Sequence, residues 1–383
     1  GASSAQAGIT IPAGDWTLDI NGNVNAFYIN NNSSDSNTIK GGIANAEDSK
    51  GDSTSSSINT GLLPSWLGVT GKTRQNDLDV SFTISFQPGS STTQSLKGGG
   101  GTENRQAYIT FGDASWGSIK IGKDIGVFGV DAILSDMTLL GVGSQGIVGA
   151  AGGTTTTLGR IGTGYVYTDF NGQINYTSPN MNGFQFTAGI DQPLNTNNLS
   201  TDSLSSTGTQ SSPAFVALAR YSWTGDVAGK VWAEYKSQSV DYTATVDERA
   251  SMYGIGANVN VAGLGLTGYY YDGKGAGTTA WLMDGVASNG NRRDSNGGYV
   301  QATYTMPTST KIGISWGISK LDTASGEADS TLVKENEMTT IGAYHPLTKH
   351  LNLVAEYSKV QSENQLGADN ESDIVSAGAI LFF

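Results

Sequence analysis

The sequence has no cysteine, only eight prolines and few charged side chains. The absence of cysteine from all 383 residues excludes disulfides, thiolate metal sites and cysteine nucleophiles. Only 14% of residues are charged, against about 25% in an average soluble domain, and no stretch approaches the roughly 18 consecutive apolar residues of a transmembrane helix. The formal charge of −13 disfavours nucleic acid as a partner, because phosphate contacts require clustered Lys and Arg. What remains is a glycine-rich chain, with 53 glycines, that is not a conventional two-layer enzyme.

Apolar and polar residues alternate with a period of two along much of the chain. In the segment 78–87 every even-numbered residue is apolar and every odd-numbered residue is polar. Alternation of this kind predicts a strand with one apolar and one polar face. The same pattern recurs in 16–28, 184–190, 231–235, 312–318, 351–357 and 375–383.

The connections between these predicted strands alternate between short and long. Seven are short: 74–77, 112–117, 178–182, 224–228, 260–263, 306–309 and 346–350. Eight are long: 30–57, 88–103, 125–159, 192–213, 239–248, 273–295, 321–335 and 361–373. Fifteen connections join sixteen strands, and short turns on one side with long loops on the other are typical of outer-membrane barrels.

The pattern therefore predicts an all-β fold, a transmembrane antiparallel 16-stranded β-barrel over residues 15–383. A ring of this size is too wide for side chains to fill, so its polar inside holds water and its apolar outside faces lipid. A secreted β-sandwich or β-solenoid would not explain the alternating loop lengths. An aromatic girdle is expected near the short turns, from Trp16, Trp116, Trp223, Tyr304 and Tyr344. Residues 1–14 are expected to be an N-terminal tail, a remnant of a signal peptide or of cloning.

Several segments resemble the Gram-negative general porins. They are 61–80 (GLLPSWLGVTGKTRQNDLDV), 105–126 (RQAYITFGDASWGSIKIGKDIG), 176–190 (YTSPNMNGFQFTAGI) and the terminal Phe382-Phe383, and they occur in the family's order. The resemblance implies an outer-membrane homotrimer of water-filled channels for passive diffusion of small hydrophilic solutes and ions. It also implies contacts with the lipid bilayer and lipopolysaccharide, and a C-terminal Phe383 read by the outer-membrane assembly machinery. Neither a cofactor nor an enzymatic activity is expected.

The resemblance also implies a constriction made by the third long loop, 125–159, folded into the lumen. The stretch 132–141 resembles the family's constriction segment and places Asp136, joined by Asp131, on the acidic side. Leu140 occupies a further position that is acidic in the family, which weakens that side. The alternative role for both aspartates is to tether the loop through hydrogen bonds. If Asp136 belongs to the constriction, Asp136→Asn shifts selectivity towards anions.

The opposing basic side is expected to include Arg105, Arg160, which opens the next strand, and Lys123. Trp66 stands at a position that is basic in the family, so the basic side is expected to carry one positive charge fewer. Lys72 lies on the polar face by alternation with Thr70 and adds charge near the short turns. Strict alternation places Arg105 on an apolar face, which conflicts with a lumen position unless a β-bulge intervenes. The alternative role for Arg105 and Arg160 is a surface or loop-anchoring salt bridge.

Three functions stay open at this point. The first is a general diffusion porin. The second is a substrate-preferring porin for small organic anions, with Arg105, Arg160 and Lys123 as a weak binding ladder. The third is a non-pore surface adhesin or receptor that acts through its long loops.

Other motifs give weaker indications. The G-x-G-x-x-G at 141–146 lacks the βαβ unit of a nucleotide site, and His345 and His350 flank a short turn rather than face a serine. Acidic loop residues, among them Asp48 and Asp369, either bind Ca²⁺ or form a solvated exterior, and no dedicated metal site is predicted.

Overall fold

The computed structural model describes residues 8–91, 95, 102–146 and 156–383. These residues form eighteen β-strands, one short helix, α1 (Val130–Ser135), and a 3₁₀ turn (Met137–Leu140). The strands are β1 (Ile9–Ala13), β2 (Trp16–Ser34), β3 (Thr54–Asn59), β4 (Trp66–Gln75), β5 (Leu78–Gln87), β6 (Glu103–Asp113), β7 (Gly117–Ile125), β8 (Phe170–Thr177), β9 (Phe184–Asp191), β10 (Ala214–Trp223), β11 (Val227–Asp241), β12 (Asp247–Val261), β13 (Leu264–Lys274), β14 (Asp294–Thr305), β15 (Lys311–Leu321), β16 (Val333–Pro346), β17 (Leu351–Asn364) and β18 (Asp369–Phe382). Among the described residues, no helix has the length and hydropathy needed to span a membrane.

The strands close into a ring in which every pairing is antiparallel. From β4 to β18 each strand pairs with the next along the chain, and β18 pairs with β2 to close the ring. Both β3 and β4 pair with β2, one with each half of it, so they are two parts of a single barrel strand interrupted at residues 60–65. The described residues thus make a closed 16-stranded antiparallel barrel, which confirms the predicted fold class.

The N-terminal segment contributes a strand rather than only a tail. In β1, Ile9 pairs with Ile20 and Ala13 with Trp16 of β2. The pairing of β18 with β2 ends where Phe382 pairs with Asn23. On that side, the backbone of residues 16–20 in β2 therefore needs a different strand as its hydrogen-bond partner. β1 supplies those hydrogen bonds, as unpaired backbone groups require. Residues 1–7 lie outside the described part of the chain.

The connections agree with the prediction on one side of the barrel and depart from it on the other. All seven short turns occur where alternation predicted them, and this edge is called the turn side here. On the opposite edge, the loop side, two connections predicted to be long are the tight turns 242–246 and 365–368, because the flanking strands extend further than the apolar pattern does.

The third loop is longer than predicted and runs over 126–169 rather than 125–159. Arg160 therefore lies inside this loop and does not open a strand. Gly159, Gly162 and Gly164 adopt positive φ angles of 54°, 80° and 150°, which turn the chain away from an extended path. The next strand, β8, begins only at Phe170.

The two faces of the barrel wall differ as the alternation requires. Val300 is 56% exposed while its neighbours Tyr299 and Gln301 are buried on the opposite face. Trp116 and Tyr304 are exposed near the turn side, but Tyr344 is buried, so its assignment to the girdle is wrong. Ile341 and Ala343 occupy the apolar face, which places Tyr344 on the other one. A second set of exposed aromatics lies further towards the loop side: Tyr28, Tyr235, Tyr253, Tyr270, Trp316 and Tyr357.

Candidate functional site

The third loop lies against the face of the wall opposite the exposed apolar side chains. The Tyr299 hydroxyl donates to the Ala132 carbonyl oxygen at 2.6 Å. The Gln301 amide donates to the Ser135 carbonyl and accepts from the Met137 N–H, both at 2.8 Å. Both strand residues belong to β14, where they flank the outward-facing Val300. The wall thus binds the helix and the 3₁₀ turn of the loop through polar side chains.

Asp131 is the best-paired carboxylate of the loop. It lies in the first turn of α1, is 1% exposed, and contacts the Arg220 guanidinium and the Lys230 ammonium group at 2.7 Å each. These cations lie on β10 and β11 and are themselves partly exposed. Neither was predicted from the sequence, because alternation marks them only as polar-face residues. The charge of Asp131 is therefore compensated by the wall, and the contact fixes the start of the helix.

Asp136 serves the internal structure of the loop. It is 3% exposed and accepts hydrogen bonds from the Thr138 N–H at 2.8 Å and the Tyr165 hydroxyl at 2.6 Å. The first bond caps the 3₁₀ turn, as a side-chain acceptor at such a start does. Burial is the first cause, and the charge of Asp136 the second, that raises the pKa of Tyr165 well above its usual value. The Tyr165 hydroxyl therefore stays protonated and remains a donor.

Arg160 is fully buried and binds the wall from the far end of the loop. Its guanidinium donates to the Met338 carbonyl at 2.8 Å and to the Ser315 hydroxyl at 2.5 Å. Burial lowers its pKa, and the charge of Asp136 acts in the opposite direction. Arg160 and Asp136 thus have the tethering contacts that were the alternative to a pore-lining role.

Glu356 is a further anchor that sequence reasoning missed. This buried residue of β17 accepts from the N–H groups of Val142 and Gly143, at 2.7 and 2.9 Å, and from the Tyr344 hydroxyl at 2.5 Å. The glycine-rich stretch 141–146 thus binds a carboxylate of its own barrel. Alternation places Glu356 on the polar face, but no local signal connects it to residues more than 200 positions away.

Arg105 lies on the polar face because of a β-bulge. Ser85 pairs with Gln106 and Phe86 with Asn104, so Arg105 is the extra residue of β6 and has no cross-strand partner. Its guanidinium lies 4.3 Å from the centre of the Trp66 ring and 4.7 Å from that of Phe170. One nitrogen donates to the Gln106 side chain at 3.0 Å, whereas the buried Nε has no hydrogen-bond partner among the described residues.

The other two predicted cations, Lys123 and Lys72, lie on opposite faces of the barrel wall. Lys123 lies on the apolar face with Ile119 and Ile121, and its ammonium group donates to the Asn104 carbonyl at 3.0 Å. Its assignment to the basic side is therefore wrong, and the alternation from Ile119 onward already indicates this. Lys120 is the polar-face lysine of β7 and pairs with Asp124 at 2.5 Å. Lys72 shares the face of Thr70 near the turn side, as expected.

Two cavities border the segment Leu134–Leu140. The loop-side cavity, about 430 Å³, is lined by Arg105, Glu103, Asp169 and many apolar side chains. The turn-side cavity, about 200 Å³, is lined by Lys230, Lys311, Asp136 and polar side chains of β12 and β14. Leu134 and Leu139 line both cavities. Within the described ranges, no group of three or more His, Cys, Asp or Glu side chains could hold a metal ion.

Known proteins resemble this chain over nearly its whole length. The family model of Gram-negative porins matches residues 1–365. The outer-membrane channel DcaP of Acinetobacter baumannii is 17% identical with a TM-score of 0.68, and the match covers 98% of this chain and 100% of that one. The anion-selective porin from Comamonas acidovorans is 14% identical with a TM-score of 0.65, and the match covers 96% of this chain and 100% of that one. The trimer form of in-vitro folded OmpT of Vibrio cholerae is 14% identical with a TM-score of 0.58, and the match covers 96% of this chain and 99% of that one. No curated protein sequence matches the chain.

A family match of this length, on a closed 16-stranded barrel with an apolar outer face, favours the two channel functions over the surface adhesin or receptor. Family and fold are those of a channel rather than of an enzyme or an adhesin. The chain belongs to the Gram-negative porin family and is an outer-membrane channel for the passive diffusion of small solutes.

Proposed function

We propose that the third loop, 126–169, folds into the lumen and that Leu134–Leu140 forms the constriction of the channel. The observation that carries this proposal is that Leu134 and Leu139 line both cavities, one towards the loop side and one towards the turn side. A segment that separates two water-accessible spaces inside a barrel limits what passes between them. The anchors from β10 to β17 hold the segment in place.

The proposed constriction differs from a gap between opposed charges. Asp131 is compensated by two wall cations, and Asp136 is nearly buried. The loop therefore presents leucines towards the side of the wall that carries Arg105 and Trp66. Water and small hydrophilic solutes would pass between the wall that carries Arg105 and the leucines of the loop.

A preference for small organic anions is a second candidate, and the anion-selective Comamonas porin shares the fold. The predicted ladder of three cations is not favoured, since Arg160 is buried with partners of its own and Lys123 lies on the apolar face. Any such preference depends on Arg105, which has no salt bridge among the described residues.

We further propose a homotrimer, because the trimer form of OmpT has the same fold. The apolar face and its two aromatic edges suit contact with lipid and with lipopolysaccharide. Phe383, whose backbone bonds to Gly22 at 3.0 Å in both directions, is the proposed recognition signal for the assembly machinery.

The absence of cysteine makes the constriction directly testable. Leu134→Cys introduces a single thiol, and reaction with a small anionic thiol reagent is expected to lower the single-channel conductance in a planar bilayer. The matched control is Ile312→Cys, which places the thiol on the apolar outer face. An unchanged conductance after complete labelling of Leu134→Cys would remove this segment from the constriction.

A further inference from the structure

We propose that the loop-side cavity is a binding subsite for amphipathic zwitterions, that is, for amino acids with apolar side chains. This inference rests on the proposed function, since it places the subsite at the entrance to the constriction. Three features of the cavity carry it: one incompletely bonded guanidinium, two carboxylates and an apolar lining.

The guanidinium of Arg105 is positioned to receive a carboxylate. It contacts the rings of both Trp66 and Phe170, and these contacts restrict its rotation and lower its exposure to water. Its single side-chain acceptor is the neutral amide of Gln106, and its Nε is buried without a hydrogen-bond partner in the described part of the chain. A guanidinium has five N–H donors arranged to bind a carboxylate with two parallel hydrogen bonds; the Nε–H is enclosed by protein, so the terminal nitrogens supply the donors for a ligand.

Glu103 and Asp169 supply the opposite charge at the same cavity. Glu103 accepts from the Gln87 amide at 2.8 Å, and Asp169 accepts from the N–H of Phe170 at 2.6 Å. Neither carboxylate has a salt bridge within the described ranges. A carboxylate has about four acceptor positions, so both retain capacity for an ammonium group.

The charge count favours a zwitterion over a simple ion. Arg105, Glu103 and Asp169 together contribute +1 − 2 = −1. A monoanion would bind Arg105 but be repelled by two carboxylates, and a monocation would be repelled by Arg105. A molecule with a carboxylate and an ammonium group can satisfy both signs at once.

The rest of the lining is apolar and excludes amino acids without an apolar side chain from tight binding. Leu62, Leu63, Pro64, Leu134, Leu139 and Leu158 surround the charged groups. The volume of about 430 Å³ falls in the usual range of small-molecule sites, roughly 300–1,000 Å³. Burial of a leucine-sized side chain among these residues supplies the hydrophobic part of the affinity.

The test measures the block of ion current through single channels in a planar bilayer at neutral pH. Leucine is expected to reduce the current saturably, and Arg105→Gln to raise the half-blocking concentration by about tenfold, as the loss of a charge-assisted contact predicts. Lys359→Gln removes one positive charge from the exposed outer surface and is expected to leave the block unchanged. The combined Glu103→Gln and Asp169→Asn variant is expected to weaken the block by leucine and to strengthen the block by N-acetylleucine.

Three further probes separate the parts of the proposal. Glycine tests the apolar lining, N-acetylleucine lacks the ammonium group, and leucinamide lacks the carboxylate. Weak block by all three supports a zwitterion subsite; block by any of them equal to that by leucine overturns it, as does an Arg105→Gln channel blocked like the parent. Thiol labelling of Leu134→Cys in the same recordings keeps the proposals separate, because it tests the constriction whether or not leucine blocks.

Discussion

The two halves of the inner barrel wall use polar side chains in different ways. From β10 to β17 they bind the third loop, as Tyr299, Gln301 and Glu356 do. From β4 to β8 they bind each other across neighbouring strands, as in the pair Thr70–Thr83 at 3.0 Å. In the same half, Gln106 donates to Asp124 at 2.9 Å. The first half thus provides side chains that bind the loop, and in the second half polar side chains bind one another.

This difference explains which charged residues remain available to solutes. In the half that binds the loop, both oxygens of the Asp131 carboxylate are paired, one with Arg220 and one with Lys230, so Asp131 anchors the loop to the wall. In the other half, Arg105 is turned inward by a bulge and keeps unused donors beside a cavity. Arg220 and Arg105, two arginines on the polar face of the wall, thus have different roles, because Arg220 pairs with Asp131 of the loop and Arg105 has no salt bridge among the described residues.

Removing the cations that pair with Asp131 should have the largest effect. The double variant Arg220→Gln/Lys230→Gln leaves a carboxylate that is 1% exposed without a counter-charge, which costs about 3–5 kcal/mol for a buried pair. The loop should detach, and single-channel conductance should rise and fluctuate. Adding Asp131→Asn to the double variant should restore the parent conductance, and a double variant that conducts like the parent would contradict the anchoring role.

Asp136→Asn should loosen the loop more than it changes selectivity. The amide keeps one acceptor oxygen but turns its NH₂ donor towards the donor of either Thr138 or Tyr165, at a cost of about 1–3 kcal/mol. Thermal denaturation in detergent should show the lower stability. In a salt gradient the reversal potential should move towards anions, but by less than Arg105→Gln moves it towards cations. A larger shift than that of Arg105→Gln would return Asp136 to the pore lining.

Arg105→Gln should change selectivity with little loss of stability. A unit charge about 4 Å from a permeating ion contributes about 1 kcal/mol in water, which corresponds to about a fivefold change in permeability ratio. The reversal potential in a potassium chloride gradient measures this shift, which is expected towards cations. The matched variant Arg160→Gln, in the loop itself, should instead lower the melting temperature, because the loop loses the hydrogen bonds of Arg160 to the Met338 carbonyl and the Ser315 hydroxyl.

Lys123→Gln should have the smallest effect. Its side chain lies on the outer face, where an ion in the lumen is shielded by the wall, so conductance and reversal potential should match those of the parent. Lys120→Gln, on the polar face of the same strand, is the control and should produce a detectable shift. Equal shifts in both variants would contradict the assignment of faces.

The sequence predicts the barrel well because its signals are local. Alternation fixes each strand and its faces, and the seven short turns follow from interruptions of that pattern. The same rule places Lys123 with Ile119 and Tyr344 opposite Ile341, where family resemblance and turn proximity had suggested otherwise. For Lys123, alternation rather than resemblance agreed with the structure, whereas for Arg105 the resemblance agreed with it, because a β-bulge interrupts the alternation.

The site was less predictable because it depends on contacts between distant residues. The inward position of Arg105 arises from one extra residue in β6, which no pattern announces. The pairing of Asp131 with Arg220 and Lys230, and that of Glu356 with Val142, join residues from separate parts of the chain. Periodicity predicts which side of the wall a side chain occupies, but not which part of the loop it meets.

The joint between β2 and β18 has a consequence for biogenesis. It unites residues such as Tyr28 and Ala377, which lie about as far apart along the chain as any two that touch. Contacts of such separation form slowly, since a long stretch of polypeptide must be ordered before they are made. A nascent molecule stopped before β18 would keep two unsatisfied strand edges, which hydrocarbon does not tolerate. A chain without β18 cannot close the ring, so completion of synthesis is a precondition for stable insertion.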